Sequence, residues 1–213
     1  MRNKNRPARL LARQLHIFCE GEKTEPNYLR HYLKLRGTNG TAQDTVVVIE
    51  DRKKNTPVQL VEEVIQKKKS FPSSHIFWVV CDRESKVKYL DALHHDARQK
   101  ANAENINVAL SNVCFEVWLL LHFQETASAY TSCDDLLKRS ELKKHFSRYD
   151  KNDDFSSITE RHIAKARKRA ETMNKVTKKS ANPEWTHPYQ WNPYTNVYEL
   201  LDEIDKILQE NPR

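Results

Sequence analysis

Glycine is scarce in this chain, with 3 among 213 residues. No GxxxxGK[ST] loop can be built from so few, so the chain has no P-loop with which to bind nucleotide by itself. Its four cysteines, Cys19, Cys81, Cys114 and Cys133, include no CxxC pair. That excludes a zinc ribbon and a disulfide framework from spacing alone. Cys19 and Cys81 end apolar runs and read as small buried hydrophobes. The lack of a paired His/Cys cluster argues against zinc. Apolar runs such as "LLLHF" (119–123) fall far short of the roughly 18 residues a membrane span needs. The basic start, "MRNKNRPARLLARQL", lacks the apolar core of a secretory signal, and a strand signal follows it at once, which sets a mitochondrial presequence aside. These absences predict a soluble, cytoplasmic protein with no membrane partner.

What the chain does have is charge. Charged residues make up 31% against 38% hydrophobic, a globular rather than a disordered balance. The net charge of +7 favours an anionic partner, of which nucleic acid is the commonest. The length suits one sizeable domain.

Two apolar runs, "LHIFCE" (15–20) and "HIFWVVCD" (75–82), are continuous rather than alternating. That pattern belongs to strands covered on both faces, as in a parallel α/β sheet. "TVVVIED" (45–51) and "INVALSN" (106–112) predict two more strands. Helical spacing marks "EPNYLRHYLKLRG" with Gly37 as its stop, and "TPVQLVEEVIQKKKS" with Thr56 as N-cap, Pro57 in the first turn and lysines at the end. "KVKYLDALHHDARQKANAEN" (86–105) predicts a third helix and "CFEVWLLLHF" (114–123) a buried one. Strand–helix alternation of this kind implies a parallel sheet with helices on its faces. After residue 130 the chain turns helical and basic, with a turn-rich stretch before a long helix over 158–179. A Pro- and Trp-rich connection follows. It leads to a closing amphipathic helix, striped by Val197, Leu200, Leu201, Ile204, Ile207 and Leu208. "NPYT" predicts its N-terminal cap, with Asn196 and Glu199 at capping-box spacing.

In open parallel sheets, ligands bind beyond the carboxyl ends of the strands. Glu20 follows the first apolar strand and Asp82 follows another. Glu84, two residues on, faces the same way as Asp82 while the backbone stays extended. Carboxylates that converge at one sheet edge repel unless a cation joins them or protons are retained. Mg²⁺ suits an all-oxygen site and keeps room for phosphate oxygens. Each acid taken alone is equally a helix N-cap.

The stretches "IFCEGEKTEPNYLRHYL", "FWVVCDRES", "LSNVCFEVWLLLHF" and "NPYTNVYELLDEI" resemble the RloB family along nearly the whole chain. These bacterial proteins are encoded near restriction–modification and phage-defence genes, often beside an AAA-type ATPase gene. The resemblance implies a Toprim-like (Rossmann-like) α/β core over about 12–125, a parallel sheet flanked by helices, and a helical, basic portion over about 130–213. The Toprim signature is a glutamate after the first strand and D-x-D after a later one. Glu20 matches the glutamate and Asp82 the first aspartate, while Glu84 stands where the second aspartate usually is. The family's Asn-Pro-Cys-Phe-Glu block falls on Asn112, Cys114, Phe115 and Glu116, with Val113 in place of proline. Glu116 is the fourth acid of the implied site, or a first-turn glutamate favoured by the helix dipole. His122 reads as a hydrogen-bonded core histidine. Lys23 and Glu25 lie in the turn after Glu20, the one placed to meet a phosphate and the other to join the acids, and both are equally readable as solvated.

Arg161, Lys165, Lys168 and Arg169 stand on the long basic helix and suit a nucleic-acid track, or simply a solvated face. Trp185 and Trp191 read as residues that pin a loop to the core rather than stack on bases. The resemblance therefore implies a Mg²⁺- or Mn²⁺-dependent nuclease acting on RNA (tRNA included) or DNA in bacterial antiviral defence and abortive infection. Glu20, Asp82 and Glu84 would hold metal, with Glu116 among the catalytic acids. The alternative is a non-catalytic Toprim-like subunit that docks on an AAA-type ATPase. A homo-oligomer is compatible with either.

Overall fold

A computed structural model describes residues 13–38, 46–50, 56–146 and 155–211. The basic start (1–12), both ends of the predicted 45–51 strand and most of the turn-rich stretch (147–154) lie outside the described residues. In chain order the elements are β1 (Leu15–Cys19), α1 (Thr24–Leu35), β2 (Val47–Glu50), α2 (Pro57–Lys68), β3 (Ile76–Asp82), α3 (Asp91–Ala103) and β4 (Asn107–Asn112). There follow α4 (Glu116–Leu121), α5 (Cys133–Arg139), α6 (Leu142–His145), α7 (Glu160–Ser180), β5 (Tyr194–Thr195) and α8 (Val197–Glu210).

The sheet order is β2-β1-β3-β4-β5, with four parallel strands and β5 antiparallel to β4 at the edge. The apolar runs at 15–19 and 76–81 are buried along their length because both sheet faces are covered. Leu15, Ile17, Cys19, Ile76, Trp78, Val80 and Ala109 pack with α1, α4, α7 and α8. Phe18, Phe77, Val79, Cys81 and Leu110 pack with α2 and α3 on the opposite face. The chain leaves β1 toward β2 on one side and returns to β3 on the other, so the strand order reverses between β1 and β3. At that switch point an α/β sheet opens a crevice beyond its carboxyl ends.

Local signals behave as their chemistry dictates. Thr56 caps α2, and its capping box closes through Gln59. Gly37 ends the first helix at φ +72°, a conformation that costs glycine little. Three expectations need correcting. The helix predicted from residue 86 begins at Asp91, because Ser85 holds the preceding turn through bonds from Lys88 and Tyr89 N–H. Part of the Pro- and Trp-rich connection pairs as β5, a strand too short to carry a periodic signal. Asn196 stands at the N-cap of α8 and its Nδ2 reaches Glu199 Oε2 (2.9 Å), but its side chain caps no helix N–H: its Oδ1 accepts from Leu110 N–H (2.8 Å) and its Nδ2 also donates to Val108 O, so the amide clamps β4.

The helical C-terminal half is bolted to the first helix by one carboxylate. Asp205 accepts from Tyr32 Oη (2.7 Å), Arg36 Nε (2.7 Å) and Arg167 Nη2 (2.8 Å). All three charged side chains are about a quarter exposed or less. Asp205→Ala removes these three bonds while leaving Arg36 with Glu160 and Arg167 with Asp202, and should cost about 1–2 kcal/mol in urea unfolding. Glu141→Ala, which breaks an exposed pair with Lys144, should leave the urea midpoint unchanged.

Candidate functional site

The first strand ends where its neighbour still continues, which sends Glu20 toward β3. Glu20 N–H donates to Val80 O (2.9 Å), and its carboxylate turns to accept from Asp82 N–H (3.1 Å). Tyr89 Oη donates to the other carboxylate oxygen at 3.5 Å. Neither Glu20 nor Asp82 is a helix cap: Lys23 occupies that position for α1 and Leu90 for α3.

Alternation then sorts the Asp82-Arg83-Glu84 tripeptide. Arg83 is buried on the far side, where its guanidinium donates to Tyr189 O and Tyr89 O (2.9 Å each) and pairs with Asp91. Asp82 and Glu84 face the crevice. Glu84 does so with φ +59°, in the left-handed region rather than extended, while its N–H still bonds Val113 O. Its carboxylate pairs with Lys88 on the rim.

These residues line one open cleft of about 550 Å³, together with Gly21, Lys23, Glu25 and Glu116. The cleft's acids are unequal. Glu25 is 5% exposed and accepts from Gly21 N–H (3.1 Å). An ideal Cβ on residue 21 would fall 2.1 Å from Glu25 Oε2, so the glycine makes room for this carboxylate. Among the described residues, Asp82 Oδ1 is sealed from solvent with no hydrogen-bond partner. Burial pushes the Glu20 carboxyl up to about 7, against a bond from Asp82 N–H that lowers it, and Glu84 and Glu25 add repulsion. Burial raises Asp82 well above the usual range, with Glu25, Glu116 and Glu20 raising it further.

Glu116 opens α4 as a first-turn residue, 6% exposed, and accepts from Cys133 Sγ (3.1 Å). Cys114 and Cys133 come together beside it. Among the described residues, Cys114, Glu116 and Cys133 form a group whose ligand atoms lie within 4.8 Å of one another. The argument against zinc from the lack of a paired His/Cys cluster is thereby weakened, although no CxxC spacing exists. The two thiols are far apart along the chain, and only the packing of α5 against α4 closes that distance.

Lys23 lines the cleft, exposed. The basic helix does not. Arg161, Lys165 and Lys168 are exposed on α7, whose inner face is Ile163, Ala166, Ala170 and Met173. Arg169 donates to Leu121 O (2.8 Å) at the end of α4 remote from Glu116, about 7.5 Å along the helix. His122 is the core histidine expected, with Nδ1 toward Trp118 O and Nε2 toward Tyr28 Oη, both 3.0 Å; burial lowers it to about 3. Trp191 Nε1 donates to Trp185 O (2.9 Å), and Asn112 Nδ2 holds Trp191 O (2.7 Å), so that connection is pinned to β4. Lys88 and Tyr89 escape a reading of the sequence because they lie inside a predicted helix.

The model of the family described as RloB-like protein matches residues 15–204. The chain belongs to the RloB-like family. The match takes in β1 through most of α8, and so covers the sheet, the cleft and the helical half. Comparison with curated proteins and with solved structures finds no match. No described helix is long and apolar enough to cross a membrane.

Proposed function

We propose that this RloB-like chain is a Toprim-type nuclease that depends on Mg²⁺ or Mn²⁺ and cleaves phosphodiesters of RNA or DNA in bacterial antiviral defence. The observation that carries this reading is Asp82 Oδ1, buried without a partner among the described residues in a cleft also lined by Glu20, Glu25, Glu84 and Glu116. Leaving such an oxygen unpaired is costly, and a hard cation is the partner its chemistry fits. Glu20 and Asp82 would hold the ion, with Glu84 joining on release of Lys88. When bound, the ion would supply Lewis-acid polarisation of a phosphoryl oxygen.

The chain's own groups account for the rest. A carboxyl that titrates near 7, as Glu20 does, can hold or accept a proton at neutral pH, which suits general acid–base work. Lys23 and Lys88 put positive charge on the rim of an otherwise acidic cleft and would orient the phosphate backbone. Tyr89, hydrogen-bonded to Glu20, would fix that carboxylate's orientation. The exposed basic face of α7 would serve strand segments away from the cut.

The test is a mixed RNA and DNA panel incubated with Mn²⁺ and the full chain, beside Glu20→Gln and Asp82→Asn. Loss of both cleavage and Mn²⁺ binding in the variants supports the reading. Variants that remain fully toxic to cells would leave the non-catalytic subunit that docks on an ATPase as the better account.

A further inference from the structure

We propose that Cys114, Glu116 and Cys133 form a second cation site, selective for a soft divalent ion of the Zn²⁺ class, beside the carboxylate site for Mg²⁺ or Mn²⁺ and sharing the Glu116 wall of its cleft. The three side chains come from the β4–α4 junction and from the first residue of α5. Their ligand atoms lie within 4.8 Å of one another. In a tetrahedral zinc site, bonds of 2.0–2.3 Å put neighbouring ligand atoms about 3.5 Å apart. The Cys133 Sγ to Glu116 Oε2 separation of 3.1 Å is already near that edge. The Cys133 thiol donates to Glu116, and the Cys114 thiol lies beside both, so the protons an ion would displace already lie between candidate ligands.

Ligand chemistry divides the two sites. Thiolates select Zn²⁺ and its soft relatives, whereas all-oxygen surroundings suit Mg²⁺ and Mn²⁺. Cys114 is 1% exposed and Glu116 6%, while Cys133 is only partly buried, so an ion enters from the Cys133 side. Three protein ligands leave a fourth position for water. An ion here would tie α5 to the end of the sheet that carries the acids.

Co²⁺ reports thiolate ligation through a charge-transfer absorption that oxygen ligands do not give. Reduced full-length protein titrated with Co²⁺ should show this band, saturating at one equivalent and bleached by Zn²⁺. Cys133→Ser should abolish the band and weaken Zn²⁺ binding by at least about 10- to 100-fold, the size that even outer contacts carry. Because residue 133 is partly exposed, this variant should keep the wild-type circular dichroism. Zn²⁺ should raise the unfolding midpoint of the wild type and not of Cys133→Ser. Glu20→Gln should keep the band while losing Mn²⁺ binding, which separates failure here from failure of the nuclease reading. No charge-transfer band, a band unchanged in Cys133→Ser, or a band lost in Glu20→Gln would overturn the proposal.

Discussion

Asp82→Asn should make the metal-free protein more stable than wild type at pH 8 while reducing cleavage by about 10²–10³-fold, the scale on which a transition-state electrostatic contact is lost. The two effects have one cause. Asp82 is pushed well above the ordinary aspartate range by burial, then by Glu25, Glu116 and Glu20. A carboxyl with a raised folded-state pKa lends stability that is complete below its unfolded value. That stability is lost as pH climbs through the raised one. For Glu20 the window runs from 4.5 to about 7, and the corresponding loss is about 3 kcal/mol. The substituted amide has no proton to give up, and its NH₂ can donate to carboxylates that an ionised Asp82 repels. Melts of the apo protein at pH 5 and pH 8 should therefore lie closer together in Asp82→Asn and in Glu20→Gln than in wild type, since each variant removes one of the two raised carboxyls and leaves the other. Added Mn²⁺ should restore wild type at pH 8 and leave both variants unmoved. Equal pH sensitivity in all three proteins would mean that these acids do not share a field.

Such a trade is expected where a site is built before its ion arrives. Like charges gathered in a cleft weaken the empty fold, and a cation recovers that loss by binding the folded state alone.

The sheet is readable because burial on both faces leaves continuous apolar runs, and β1 and β3 carry the longest. Position at a strand's carboxyl end then singles out Glu20 and Asp82 without any knowledge of tertiary contacts. The reading fails where chemistry depends on packing between distant segments. Glu25 stays open between the site and solvent, since a helix's first turn is usually exposed. Its burial follows from the way α1 lies over β1, with Gly21 giving way beneath it. Cys114 and Cys133 look unrelated because thiol spacing along a chain signals a site only when one loop supplies both. Arg169 looks like part of a solvated stripe, and the carbonyl it binds at Leu121 belongs to a helix far away in sequence. Charge runs record composition, whereas the partner of each charge is a property of the fold.

Gly21→Ala carries the same logic into a position with no charge at all. The added methyl would occupy the space of the Glu25 carboxylate, whose oxygens would lie 2.1 and 2.5 Å from it. The obstructing atoms end a flexible side chain, so the backbone can stay while Glu25 swings out. That motion breaks the bond from Gly21 N–H and moves a buried carboxylate toward water, at a cost of about 1–3 kcal/mol in urea unfolding. It also removes repulsion from both Glu20 and Asp82. The pH at which Mn²⁺ binding reaches half its limit should accordingly shift downward in Gly21→Ala. Glu25→Ala removes the obstruction, so the double variant should lose less stability than the two single changes together. Their coupling should be about 1–2 kcal/mol, within the range for residues in direct contact. Strict additivity would mean that the methyl is accommodated by the backbone, and that the glycine serves the turn rather than the carboxylate.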